Sequence, residues 1–510
     1  MTRITHFFLK YAYCFLLCAC FFVITGCSKD SADTVVSEQP DEDPETPDPP
    51  AEEPKANYTV DNITDTYYDV AGAENVYQWG PYNVHDPSII KVGDTYYCYN
   101  TDVSFGSEIR PGIQIRRSKD LIDWEFVGWV FDGLPAKGSQ FIKSKADDPF
   151  NALWAPFVMQ VGSEYRLYYS LSSSTPRLSV IGLATSDSPL GPWTEKDLVV
   201  TSVDDNSIQT NAIDPTVVID KTGQHWLYYG SAWDGIYYLK LNATTGLADS
   251  SGDKGKRIAQ RGFTGNSING NIEGPEVIYN ADLDKYYMFI AYDWLQTKYN
   301  VRVGRSDNPD GPFYDFNGLD INTEVDNTPM ILAPYQFKGH SGWQGVSHPG
   351  VFKDDNDQYY MAHQGRPGEN SYFMVLHIRK MHWTEDGWPI VSPERYAGVA
   401  QDEITTADLA GNYEQIILGY QVVPGYAETQ TLPNFQYAVD LQLAADGSLN
   451  GDANNQWSFE APWLTMSFSN GFSDKLYVER GRDWENKVAS TIVLSGLNNA
   501  GTAIWGKKIN

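Results

Sequence analysis

The sequence predicts an all-β chain: a five-bladed β-propeller followed by a small β-sandwich or barrel. Three observations lead there. First, one design recurs five times, a polar or small tip, a proline and then a strand: His85-Asp86-Pro87-Ser88, Trp154-Ala155-Pro156-Phe157, Ile213-Asp214-Pro215-Thr216, Ile272-Glu273-Gly274-Pro275-Glu276 and Ser347-His348-Pro349-Gly350. Second, each copy runs into a polar or Gly-containing turn and an aromatic-rich strand (TYYCYN, YRLYYS, HWLYYG, KYYMFIA, QYYMAH). Third, helical periodicity is scarce, and the copies begin roughly 60 to 75 residues apart, room for a four-stranded blade with loops inserted on one face.

Taken in order, residues 1–26 read as a lipoprotein signal peptide. Arg3 and Lys10 form a positive start, Tyr11 to Ile24 an apolar stretch, and Ile24-Thr25-Gly26-Cys27 resembles a bacterial lipobox with Cys27 as the lipidated residue. Residues 27–57, rich in Asp, Glu and Pro, read as a disordered, self-repelling tether. The expected location is therefore the bacterial cell envelope, with lipid as the only membrane anchor. The outer membrane is favoured, facing either the cell surface or the periplasm. From Tyr58 the pattern predicts short alternating strands, with the propeller over 58–400. Blades one, two, four and five share related third-strand endings: Arg116-Arg117-Ser118 before Asp123-Trp124, Ala184-Thr185-Ser186 before Gly191-Pro192-Trp193, Gly304-Arg305-Ser306 before Gly311-Pro312-Phe313, and His382-Trp383-Thr384 before Gly387-Trp388-Pro389. An aromatic outer strand is expected to complete each blade. Blade three departs from this, with Gly235-Ile236-Tyr237-Tyr238-Leu239 running into Leu241-Asn242-Ala243. Beyond Tyr396-Ala397-Gly398 the aromatic pattern stops, and 401–510 reads as a separate all-β domain. Its aromatics suit either carbohydrate binding or packing against the propeller.

The net charge of -29 argues against nucleic acid and other polyanions, which need basic patches. It suits a neutral substrate and a monomeric, soluble surface. Cys14, Cys18 and Cys20 lie in the signal segment, which leaves only Cys98 beyond the lipidated Cys27. No intramolecular disulfide is then available to the mature chain, and Cys98, inside a strand pattern, is expected to be a buried apolar residue.

Chemistry enters with the residues at the strand starts. In a propeller the innermost strands line the axis, so Asp86, Ala155, Asp214, Glu273 and His348 are expected to ring one funnel mouth. Three carboxylates near an axis are costly unless they have work to do. Glycoside hydrolysis needs such a set: one acid protonates the leaving oxygen, and another carboxylate deprotonates a water across the sugar, the two standing about 6.5 to 9.5 Å apart. A third carboxylate disfavours ionisation of the acid and helps orient it. Two other readings stay open at this point, Asp-Pro pairs as simple turns and a metal site built by the three carboxylates. Trp154 and Trp233 are candidate sugar platforms, and His85 either binds sugar hydroxyls or orients Asp86. Asp354-Asp355-Asn356-Asp357 lacks the Gly and Glu of a calcium loop and reads as a hairpin turn.

These residues together resemble glycoside hydrolase family 43, in its arabinanase group, over about residues 80 to 396. The resemblance rests on His85-Asp86-Pro87, Trp154-Ala155-Pro156, Ile213-Asp214-Pro215, Gly230-Ser231-Ala232-Trp233-Asp234-Gly235-Ile236, Asn271-Ile272-Glu273, Tyr299-Asn300-Val301-Arg302-Val303-Gly304-Arg305-Ser306 and Gly345-Val346-Ser347-His348. It implies an inverting hydrolase of α-1,5-linked arabinan, with Asp86 as general base, Asp214 as pKa modulator and Glu273 as general acid. It also implies a calcium ion on the axis, with His348 as its direct protein ligand and waters filling the shell. Gly274-Pro275-Glu276 and Pro349-Gly350 depart from the shorter arabinanases and resemble a longer subgroup with an extra C-terminal β-domain. An exo-acting arabinofuranosidase or xylosidase of the same family, and a non-catalytic glycan-binding lipoprotein, are the alternatives.

Overall fold

The structure, a computed structural model, describes residues 55, 57–207, 209–264, 267–323, 329–419 and 431–509. The signal peptide, lipobox Cys27 and nearly all of the tether lie outside the described residues. No helix among those described is long and apolar enough to cross a membrane.

Five antiparallel sheets, each built from consecutive strands, make the blades. Their inner strands are Ser88–Val92, Trp154–Val161, Thr216–Ile219, Ile272–Asn280 and Trp343–Lys353. The five aromatic-rich second strands all form as the sequence predicts, for example Thr95–Asn100 and Lys285–Tyr292. Their alternation buries one face in each inter-blade core, such as Tyr286, Met288 and Ile290 against Val218 and Tyr228. Cys98 is fully buried in one such core, and burial pushes its thiol up to about 12, so it packs as an apolar residue.

Among the described residues no strand is shared between the two ends of the propeller segment to close the ring. Instead Asn83 N–H donates to Met374 O at 2.9 Å and Leu376 N–H to Pro81 O at 2.8 Å, so the approach to blade one pairs with blade five. On the axis the inner strands touch. A Cβ at Gly350 would stand 2.3 Å from the Pro87 carbonyl oxygen, and only glycine allows blade five so close to blade one.

Three expectations are corrected. Residues 57–87 carry no named strand but turns and 3-10 segments (Tyr68–Val70, Ala73–Gln78), because clustered Asn, Asp, Thr and Gly break the alternation. Tyr82 anchors this stretch by stacking on Tyr67 at 4.6 Å and meeting Tyr58 edge-on at 5.4 Å. A helix, Ala136–Lys143, sits between blades one and two, too short for its period to stand out in the sequence. In blade four residues 314–323 form turns and isolated bridges, and the outer strand comes later, at Met330–Leu332. Asp354-Asp355-Asn356-Asp357 is the hairpin turn between Trp343–Lys353 and Tyr359–Pro367, as expected.

The C-terminal segment forms a closed eight-stranded barrel from Gly411–Leu418 to Ala503–Lys508, whose first and last strands pair (Tyr413 opposite Lys508). Closure removes free sheet edges. Leu441, Leu464, Leu476, Leu494 and Ile504 fill its interior. The chain returns once to the propeller, where Gln436–Tyr437 pairs in parallel with Tyr335–Gln336 at the margin of the blade-five sheet.

Candidate active site

Each residue immediately before an inner-strand proline adopts a left-handed backbone: Asp86 (φ 52°), Ala155 (34°), Asp214 (58°), Gly274 (54°) and His348 (56°). A residue before proline ordinarily prefers extended backbone, so this fivefold repetition stores strain at the funnel mouth. It also corrects the expected ring. The blade-four member is Gly274, and Glu273 lies one residue earlier, opposite Ala291, in the register that Trp154 holds opposite Ser170 in blade two. The glycine has a reason: a Cβ at 274 would meet His348 Nδ1 at 2.9 Å.

The ring is sewn together across blades. Ala155 N–H donates to Thr101 Oγ1 at 2.7 Å, Asp214 N–H to Ser170 Oγ at 3.1 Å, and Asp86 N–H to Gln364 Oε1 at 3.2 Å. Each acceptor stands on or just beyond the second strand of the preceding blade, so the backbone of every such carboxylate is positioned by its neighbour.

Asp86 is buried and flanked by two imidazoles. His85 Nδ1 lies 2.7 Å from Oδ2 and His348 Nδ1 lies 3.0 Å from Oδ1, close ionic contacts although neither is aligned as a good hydrogen bond. The Thr101 hydroxyl donates to Oδ2 at 2.5 Å. Burial opposes the charge, but the His348 and His85 imidazoles hold the Asp86 carboxyl well below the usual carboxylate range. Asp214 shows the opposite behaviour. Burial, joined by repulsion from Glu273 and Asp86 and only partly offset by His348, pushes it well above that range. Its Oδ2 accepts the Gly274 N–H at 3.1 Å. Glu273 is half-buried and gripped at both oxygens, by Tyr299 OH at 2.8 Å and Ser231 Oγ at 2.8 Å. Burial pulls the His348 imidazole down, but Asp86 foremost, with Asp214 and Glu273, pushes it up to about 9. The arrangement thus separates a carboxylate held as the anion from one that retains its proton, with a third aimed by two hydroxyls. Such divergence is what acid–base chemistry on a single substrate requires.

Of the other sequence candidates, Trp154 stands half-buried beside Ala155, and Trp233 lies half-buried with the Arg177 guanidinium 5.4 Å from its ring. Tyr299, Ser231 and Thr101 were not singled out by sequence reasoning. The first two lie inside motifs that carry the family resemblance, which is the one signal the sequence offers for them.

For a metal, His348 offers one nitrogen, since Nδ1 faces Asp86 and Nε2 remains. Among the described residues the only set of three carboxylate or imidazole ligand atoms close enough to hold one ion is Glu394, Asp483 and Glu485, away from the axis. Among the described residues, the axial carboxylates and His348 do not form a protein-built cation cage, and a cation there would have the His348 imidazole as its single ring ligand.

With this geometry established, three comparisons place the chain. Glycosyl hydrolases family 43 matches residues 80–389, and a C-terminal lipocalin-like domain found with that family matches residues 393–506. The chain is 29% identical over 491 residues to the extracellular endo-alpha-(1→5)-L-arabinanase of Thermotoga petrophila, covering 87% of this chain and 97% of that protein. It is 30% identical to the extracellular exo-alpha-(1→5)-L-arabinofuranosidase ArbA of Cellvibrio japonicus, over 61% of this chain and 86% of that one. The crystal structure of endo-1,5-alpha-L-arabinanase from Thermotoga petrophila superposes with a TM-score of 0.72 at 27% identity, covering 85% of this chain and 99% of that one. The chain belongs to glycosyl hydrolases family 43 and is a glycoside hydrolase with a five-bladed propeller and a C-terminal barrel.

Proposed function

We propose that the protein is an inverting endo-α-1,5-L-arabinanase, in which Asp86 is the general base, Glu273 the general acid and Asp214 the residue that keeps the acid protonated. The opposed electrostatics of Asp86 and Asp214 carry this reading. An anionic Asp86 is ready to take a proton from water. Glu273, oriented by Tyr299 and Ser231, is aimed to give one to the leaving oxygen. Asp214, buried beside the acid and accepting the Gly274 N–H, is the modulator of the pair and fixes the backbone next to Glu273. Trp154 and Trp233 serve as sugar platforms, and His85 orients the base. A calcium ion would be held by His348 and would supply positive charge near the carboxylates.

The endo reading is favoured because the relatives that align over 87% and 84% of this chain are both named endo, although shorter alignments of 61% include relatives named endo and exo alike. Export agrees with relatives named extracellular, while lipid attachment at Cys27 rests on the lipobox-like Ile24-Thr25-Gly26-Cys27 alone. The test is a digest of linear arabinan resolved by chain length, with wild type, Asp86→Asn and Glu273→Gln at matched folding. Wild type is expected to release oligosaccharides early, with the anomer opposite to that of the substrate, and each variant to lose at least about a thousandfold in kcat. Monosaccharide as the sole early product would replace endo with exo action. A variant with near-normal activity would remove the role assigned to that residue.

A further inference from the structure

Blade two carries a second aromatic ring beyond Trp154. Phe150 stacks on Trp154 with ring centroids 5.4 Å apart and planes 29° apart. It remains 39% exposed, where a large apolar ring forgoes part of its burial energy. Its placement is rigid. Phe150 N–H donates to Ser172 O at 2.9 Å, and Pro149 bridges Ser173, so the segment prolongs the blade-two sheet upward past Trp154, which lies opposite Ser170. Between the two rings Leu153 is fully buried, and its N–H donates at 2.8 Å to Asp102, a buried carboxylate that also takes the N–H groups of Gly112 and Ile113. At the inner end, Ala155 N–H is held by Thr101, whose hydroxyl donates to Asp86. The two rings thus form one fixed track that starts beside the base and leads away from the axis.

We propose that Phe150 is an outer sugar-binding position. It takes the face of a sugar unit one step farther along the polysaccharide than the unit on Trp154, and so makes the enzyme select for chain length. This rests on the glycan-hydrolase reading of the same funnel. One face of the phenyl ring lies against Trp154, and the residue stays 39% exposed. A flat neutral ring suits the C–H face of a neutral sugar, and its stacking discriminates by reach and not by charge. A substrate too short to arrive at Phe150 gains nothing from it.

The test uses full-length protein and linear arabino-oligosaccharides of increasing length, with kcat and KM measured for wild type, Phe150→Ala and Phe150→Tyr, and thermal unfolding of each. Phe150→Ala is expected to lose about tenfold in kcat/KM on the longest substrates, mainly through KM. The shortest cleaved substrate should change less than about twofold, and Phe150→Tyr should restore the long-chain advantage. An equal loss at every length would mean that Phe150 only backs Trp154, and no loss at any length would mean that its exposed face is unused. Either result overturns the proposal. If wild type leaves arabinan intact, the arabinanase reading fails separately, and the same length comparison on a ladder of whichever glycan it cuts still decides the role of Phe150.

Discussion

At the scale of single residues, Gly274 shows how closely the site is packed. It is the pre-proline residue of blade four, with φ 54°, and its missing side chain is where the His348 ring lies. Gly274→Ala pays twice: about 1 kcal/mol for a Cβ in the left-handed region, and a clash that moves the imidazole off Asp86. Thermal unfolding should show a modest loss of stability, while kcat/KM should fall by at least about tenfold as the base loses one of its two flanking imidazoles. Unchanged kcat/KM would show that contact between His348 and Asp86 is dispensable. The same residue explains one misreading of the sequence. Taking Glu273 as the ring member follows from its being the last carboxylate before Pro275. Side chains on a strand alternate, however, and one residue separates the ring from the tier that Glu273 shares with Trp154. Aligning strictly on the proline would have exposed the offset. The hydroxyls of Tyr299, Ser231 and Thr101 were harder to find, since each comes from a strand or loop whose approach to a carboxylate is a property of the folded ring alone.

At the scale of elements, the inner strands were legible because each opens on a proline and precedes an aromatic strand of period two. What holds them at fixed spacing was not. Glu276 lies three residues below Glu273, buried, and accepts from Thr216 Oγ1 at 3.0 Å and Val351 N–H at 3.3 Å. It therefore ties the strand that carries Glu273 to the strands that follow Asp214 and His348. It also borders a cavity of about 310 Å³ beneath the ring, lined by Ile89, Phe157, Val217 and Val351 among others. In these surroundings burial pushes the Glu276 carboxyl up to about 7. An acid whose folded value exceeds its unfolded one binds a proton on folding. Its contribution is therefore most favourable in acid and is lost as pH rises from about 4.5 to about 7. Glu276→Gln, which cannot ionise, escapes that loss. Relative to wild type, the variant should gain stability between pH 5 and pH 8, by up to about 3 kcal/mol. Unfolding curves at the two pH values measure this, and a wild-type-to-variant difference that stays constant would show that Glu276 is ionised throughout. The helix Ala136–Lys143 and the 3-10 segments before blade one escaped the sequence for a different reason. They are short and draw their stability from contacts with the blades and not from their own periodicity.

For the whole molecule, the barrel is bound to the propeller by more than a linker. Trp505 of the last barrel strand meets Tyr335 edge-on at 5.3 Å, Tyr477 stacks on His382 of blade five at 3.9 Å, and Trp484 Nε1 donates to Arg395 O at 2.8 Å. The sequence showed where the propeller pattern ends, but not this junction, because its partners lie 89 to 170 residues apart and follow no repeat. At its centre Lys507, 1% exposed, places Nζ 2.9 Å from Glu394, 2.9 Å from Asp483 and 2.6 Å from Glu485. Glu394 ends the propeller and the other three belong to the barrel, so the ammonium occupies the point where these carboxylates would otherwise gather a metal ion. Burial works against its charge, yet Glu394, Glu485 and Asp483 together hold it protonated. Glu394, buried beside Glu485, is pushed well above the usual carboxylate range, so the network carries less negative charge than its formal count. Removing the cation leaves Glu394, Asp483 and Glu485 crowded together without the ammonium that joins them. Lys507→Met should destabilise the protein by about 3 to 5 kcal/mol near neutral pH. The deficit should shrink as pH falls, because protonating the carboxylates removes their repulsion. Since the junction spans both parts, wild type should unfold in one transition by calorimetry, whereas the variant should show the barrel melting before the propeller. A variant that unfolds in one step at the wild-type temperature would mean that the aromatic contacts alone fasten the barrel.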